Sequence, residues 1–103
     1  MRITKVSSDG ILFDTGDNIT CDHEQNCCEH NYADFMQLDD IARNTEFKKP
    51  LTFEFVDGSG FRFGNENKMF FIPCYSEQNG YYSSAIDILF NDRIVSQGYC
   101  EIP

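Results

Sequence analysis

The sequence predicts an α+β domain: a mostly antiparallel sheet of about six to eight strands, with one helix over about residues 28–43 packed on one face. Three observations lead there. Short runs in which apolar and polar residues alternate fill most of the chain. Clusters of Gly, Asn, Asp and Ser separate those runs at close intervals. One stretch alone, Tyr32, Phe35, Leu38 and Ile41 or Ala42, repeats at three- and four-residue steps, which is the period of a helix.

Residues 2–6 have strand composition, and Ser7-Ser8-Asp9-Gly10 turns the chain into a short strand at Ile11-Leu12-Phe13-Asp14. Thr15-Gly16-Asp17-Asn18 turns it again. Ile19, Cys21 and His23 then alternate with Thr20 and Asp22, which places all three on one strand face. The helix follows, from Cys28 or His30 to about Arg43, with Asn26 or Asn31 as candidate cap and Arg43-Asn44 at its end. Phe47-Lys48-Lys49-Pro50 reads as a connector, because Pro50 disfavours helix in the residue before it.

The remainder reads as sheet. Leu51, Phe53 and Phe55 alternate with polar residues, Asp57-Gly58-Ser59-Gly60 turns, and Phe61-Arg62-Phe63 resumes. Met69 to Tyr75 is a nearly continuous apolar strand, in which Pro73 points to an edge or a bulge. Tyr82, Ser84, Ile86, Ile88 and Phe90 share a face, and Asn91-Asp92 turns into a last strand from Ile94 to Cys100. The helix covers one sheet face, and the other is left open or curls toward a barrel.

At 103 residues the chain is expected to form a single domain over its whole length. Ten Phe and five Tyr with no Trp predict a Phe-rich core. The net charge is −9, and the acids are concentrated in residues 1–46, where ten of them face only Arg2, Lys5 and Arg43. Phosphate binding needs clustered Lys and Arg, so neither nucleic acid nor an anionic membrane is an expected partner. A protein is. Met1 leads straight into Arg-Ile-Thr-Lys-Val, without the apolar segment of a signal peptide, and no apolar run reaches membrane-spanning length. Five cysteines cannot all pair within one chain. These features together predict a reducing, cytoplasmic setting with free thiols.

Chemistry concentrates in Cys21-Asp22-His23-Glu24-Gln25-Asn26-Cys27-Cys28-Glu29-His30-Asn31, which holds three cysteines and both histidines. As a metal site it offers His23, Cys27 and His30. The spacing is poor for zinc, however, since the chain has no Cys-x2-Cys pair and neighbouring Cys27 and Cys28 would strain to reach one ion. No cofactor is expected. As a catalytic site it offers Cys28 or Cys27 as thiol nucleophile, His23 or His30 as base and Glu29 beside them. A helix N-terminus would favour the thiolate, and the surrounding acids would oppose it. As structure, the cysteines pack as small hydrophobes, His23 is a satisfied, partly buried histidine and His30 an ordinary helix-start residue.

A second constellation is Ser76-Glu77-Gln78-Asn79-Gly80-Tyr81-Tyr82-Ser83-Ser84. Asn79-Gly80 suits a tight turn, and Tyr81 and Tyr82 point to opposite sides of an extended chain. Asn79, Tyr81 and Tyr82 are therefore the candidate ligand-binding residues. Asp14, Asp17 and Asn18 lack calcium-loop spacing and fit turn chemistry better.

His23, Cys27, Cys28 and Glu29 form a His-x3-Cys-Cys-Glu segment, and Ser76, Asn79, Gly80, Tyr81, Tyr82 and Ser83 form a Ser-x2-Asn-Gly-Tyr-Tyr-Ser segment. In these two segments and their order the chain resembles a family of short, uncharacterised bacterial and phage proteins. The resemblance implies no activity. It does imply that the two segments meet in space, so that His23, Cys28, Glu29 and Tyr82 line one pocket. The expected function is a small acidic, non-enzymatic binding or accessory domain. The alternatives are a Cys/His-dependent enzyme or metal-binding domain using residues 21–30, and an acidic decoy of a basic or DNA-handling protein.

Overall fold

The computed structural model describes residues 1–24, 29–80 and 82–102. Nine strands run through them: β1 (Ile3–Ser7), β2 (Gly10–Phe13), β3 (Asn18–Asp22), β4 (His30–Ala33), β5 (Thr52–Val56), β6 (Gly60–Asn65), β7 (Lys68–Glu77), β8 (Ala85–Phe90) and β9 (Arg93–Tyr99). They form two sheets, ordered β1-β2-β3-β8-β9 and β4-β7-β6-β5, in which neighbouring strands are antiparallel.

The expected α+β class is therefore corrected to a nearly all-β fold. Instead of one sheet of about six to eight strands under a helix, there are nine strands in two sheets. Among the described residues no α-helix occurs. Most of the segment predicted as a helix over about 28–43 is taken up by β4 and two 3-10 turns, Phe35–Gln37 and Asp40–Asn44. Short polar side chains explain the change, because Asn and Asp offer the backbone local partners that compete with helical hydrogen bonds. The Asp39 carboxylate accepts the Ile41 N–H at 3.0 Å and starts a fresh turn there. Leu38 and Asp39 both sit at ψ 133°, which is extended rather than helical. The apolar stripe is real but is read out differently. Phe35, Leu38 and Ala42 are buried by the two turns, whereas Ile41 faces solvent at 56% exposure.

Pro73 lies within β7 where only β6 is paired with it, and β4 joins the same strand one residue later. It is tolerated because the ladder changes partner there: pairing with β6 ends at Gly60↔Pro73 and pairing with β4 begins at Ala33↔Cys74.

The core lies between the sheets. One side supplies Ile3, Ile11, Phe13, Ile19, Ile86 and Ile88, and the other Ala33, Phe61, Phe63, Phe70, Ile72 and Cys74. Phe47, read from sequence as part of a connector, is the hub. Its ring lies 5.7–5.8 Å from those of Phe13, Phe63 and Phe70, within the range of favourable aromatic pairing. The sheets also meet where β5 packs on β9. A Cβ on Gly98 would lie 2.0 Å from the Phe55 ring, so only glycine admits that ring.

Asp17 ties three connections together. Its carboxylate binds the Lys49 ammonium at 2.6 Å, the Thr15 hydroxyl at 2.6 Å and the Asn91 amide at 2.7 Å. The Lys49 contact, followed by those from Thr15 and Asn91, holds its carboxyl well below the usual carboxylate range.

Candidate functional site

The two segments marked in the sequence converge on β4. The register sets His30 opposite Glu77, Asn31 opposite Ser76, Tyr32 opposite Tyr75 and Ala33 opposite Cys74. Side chains alternate along a strand, so Asn31, Ala33, Cys74 and Ser76 face inward, and His30, Tyr32, Tyr75 and Glu77 face outward.

The inward face carries a closed polar network. The Asn31 amide donates to the carbonyls of Ser83 and Ala85, both at 3.0 Å, and its side-chain oxygen accepts from the Ser76 hydroxyl. Ser76 accepts in turn from the Gln78 amide at 2.6 Å, and the Gln78 oxygen accepts the Tyr82 backbone N–H at 2.8 Å. Asn31 and Ser76 are buried. Burying amides and hydroxyls is favourable only when they are bonded, and here each bond also has a structural use. Ser83 and Ala85 lead into β8 of one sheet, while Asn31 and Ser76 belong to the other. The network fastens the two sheets. Sequence reasoning gave Asn31 only a capping role, yet Ser76 left a signal. It continues the inward alternation Phe70, Ile72, Cys74, where a hydroxyl demands a partner.

A cleft of about 370 Å³ lies beside this network, lined by Ser8, Asp9, Cys21, Asp22, His23, His30, Asn31 and Tyr32. His23 Nε2 lies 3.4 Å from Glu29 Oε1, and the Glu29 side chain is fully buried. The catalytic candidates His23 and Glu29 are thus brought together, whereas Cys28 and the metal candidate Cys27 lie outside the described residues. His30 stands on the outward face, its ring centroid 6.3 Å from that of His23. Among the described residues no three His, Cys, Asp or Glu side chains are arranged to hold a metal ion. Of the ligand-binding candidates, Asn79 is exposed, Tyr82 does not line the cleft, and Tyr81 lies outside the described residues.

The outward face is open and aromatic. His30 stacks on Tyr32 with centroids 5.0 Å apart, and Tyr32 meets Tyr75 at 5.9 Å. Asp34, Glu77 and Glu101 border this row. Glu101 pairs with Tyr75 through a parallel bridge, and the Tyr32 hydroxyl reaches Glu77 at 3.5 Å. Gln37 spans Asp34 at 2.7 Å and the Tyr75 hydroxyl at 3.4 Å. Partial burial, with the negative charges of Glu77 and Asp34, raises the Tyr32 phenol above its usual pKa. The ion pairs found among the described residues involve Glu29, Glu46, Asp17 and Glu54. None of them places a cation on this aromatic row.

The thiols that can be described are free, with Cys21 half-buried and Cys74 and Cys100 buried. Burial pushes the Cys21 thiol up, away from a role as nucleophile near neutral pH.

The molecule is thus a two-sheet β domain with a closed inner polar network and an open, aromatic, acid-bordered outer face. Residues 1–88 match the family described as "Domain of unknown function (DUF7448)", and the chain belongs to that family. The match ends within β8, so β9 and Cys100 lie beyond it. No curated protein and no solved structure matches the chain. No helix among the described residues is long and apolar enough to cross a membrane.

Proposed function

We propose that this domain is a small acidic, non-catalytic binding module that takes a cationic segment of a partner protein on the outward face of β4 and β7. The observation that carries the reading is the His30–Tyr32–Tyr75 row bordered by Asp34, Glu77 and Glu101. An aromatic face attracts Lys and Arg through its quadrupole, by about 0.5–1 kcal/mol at an exposed site. Nearby carboxylates add direct charge attraction, and the net charge of −9 would speed encounter with a basic partner. A basic DNA-handling protein, met by an acidic decoy of bacterial or phage origin, is one partner of this chemistry. Free thiols at Cys21, Cys74 and Cys100 agree with a cytoplasmic setting.

Fluorescence titration with a labelled oligolysine peptide tests the proposal. Binding is expected to weaken steeply with added salt. It is also expected to fall several-fold in a Tyr32→Ala/Tyr75→Ala chain. Binding that ignores both salt and those substitutions would contradict it.

The Cys/His catalytic reading retains one supporting observation, the His23–Glu29 pair, in which a carboxylate orients an imidazole beside the cleft. Alkylation with iodoacetamide near neutral pH tests it. A single fast-reacting thiol at Cys28 that slows in His23→Ala would favour it, and uniformly slow thiols would remove it.

A further inference from the structure

After the bulk of β7 has paired with β6, the chain beyond β9 returns to lie beside it. Tyr75 and Glu101 form a parallel bridge, closed by Glu101 N–H to the Cys74 carbonyl at 2.9 Å and Ser76 N–H to the Glu101 carbonyl at 2.8 Å. The positions one residue earlier, Cys74 and Cys100, are therefore lateral neighbours on the opposite face from Tyr75 and Glu101, and both are buried. Neighbouring strands lie about 4.8 Å apart, and a disulfide spans Cα separations of about 4.4–6.8 Å. From this register we infer that Cys74 and Cys100 are a dithiol site that closes to a disulfide when a peroxide reaches it.

The pair has the internal asymmetry such a reaction needs. The Cys74 thiol lies 3.9 Å from the Ile72 carbonyl, and the neighbouring thiols push each other apart in acidity: the pKa of Cys74 rises through Cys100 and burial, while Cys74 lowers that of Cys100. Cys100 is thus the sulfur that more readily gives up its proton, and Cys74 the one that holds it. The Cys100 thiolate attacks one peroxide oxygen, giving a sulfenic acid and releasing the other oxygen as water. The Cys74 sulfur then attacks the Cys100 sulfur and displaces the hydroxyl as a second water. Two thiol hydrogens leave, one S–S bond forms, and the peroxide is the species reduced. Access requires only local opening of the segment around Glu101, which is held by the two bridge bonds and by Cys100 N–H to the Ser84 carbonyl at 2.8 Å. Closure would fasten this segment to β7 and raise stability by shortening the loops of the unfolded chain.

The experiment treats the folded chain with hydrogen peroxide, blocks remaining thiols, and maps the linked peptides by mass spectrometry. A Cys27→Ser/Cys28→Ser chain is run in parallel to remove those thiols from the readout. The expected result in both chains is a Cys74–Cys100 linkage and a Tm several degrees higher, reversed by dithiothreitol. In Cys100→Ser the peroxide-induced rise in Tm disappears. Recovery of Cys74 and Cys100 as free thiols after oxidation, or a linkage of either to Cys21 instead, would overturn the inference. The wild-type peptide map reads this directly, so the test stands even where a serine variant folds poorly.

Discussion

The two faces of β4 and β7 come from alternate residues of the same strands, yet they have opposite character. Inward, Asn31 and Ser76 are buried and bonded to carbonyls and amides of both sheets. Outward, the Tyr32 and Tyr75 hydroxyls make contacts of 3.4–3.5 Å, at the long limit of a hydrogen bond. A saturated polar group stabilises the fold and has nothing left for a ligand. A loosely engaged one at the surface has both donors and area to offer. One backbone ladder thus carries the joint between the sheets on one side and the proposed recognition surface on the other.

The largest effect should come from breaking the inward face. Asn31→Ala removes the donor to the Ser83 and Ala85 carbonyls and the acceptor of the Ser76 hydroxyl, although Gln78 still reaches Ser76 and Ser83. A loss of about 2–3 kcal/mol in urea unfolding is expected, from three lost hydrogen bonds of about 0.5–1.5 kcal/mol each. Ser76→Ala removes two links, to Asn31 and from Gln78, and should cost about 1–2 kcal/mol. The double variant should cost less than the sum of the two, because they share a network. Simple additivity would show that the two side chains act separately.

Acid provides a contrast, because the inward network is made of amides and hydroxyls that do not titrate. Asp17 does. Its folded pKa lies below the unfolded value of about 3.9. The stability it contributes is therefore present above that value and is lost as pH falls through and below it. Unfolding measured against pH should steepen on the acid side in the wild type and flatten there in Asp17→Asn. An unchanged slope would remove Asp17 as the source.

The smallest effect on stability is expected outward. Tyr32→Ala and Tyr75→Ala should each change unfolding free energy by no more than about 0.5–1 kcal/mol, as for surface positions with limited packing, while weakening oligolysine binding. A stability loss as large as that of Asn31→Ala would erase the contrast between the faces.

How much of this was legible in the sequence depended on which signal each region carried. The strands after Pro50 announced themselves by period-two alternation, as in Phe53/Phe55 and Phe61/Phe63, and by Asp57-Gly58 and Asn91-Asp92 turns. The difference lies in the helix expected over about 28–43, within its described residues. There, three- and four-residue apolar spacing predicts a helix, although Asp39 diverts the backbone locally and Asn31 bonds across to the Ser83 carbonyl instead. Phe47 looked like linker because its neighbours are Lys48, Lys49 and Pro50, and nothing local reveals a hub whose partners come from β2, β6 and β7. The site was legible only in part. Its two segments could be named from their polar and sulfur content, but the pairing that brings Tyr32 beside Tyr75 depends on register, which only the folded sheet supplies.

The most direct test of the central claim is a map of backbone amide shifts during titration of the isotopically labelled chain with oligolysine. Perturbations centred on His30, Tyr32, Tyr75 and Glu77, with Asn31 and Ser76 retaining slow hydrogen exchange, are the predicted result. Perturbations centred instead on the cleft at Cys21 and His23, or scattered evenly over the acidic surface, would contradict it.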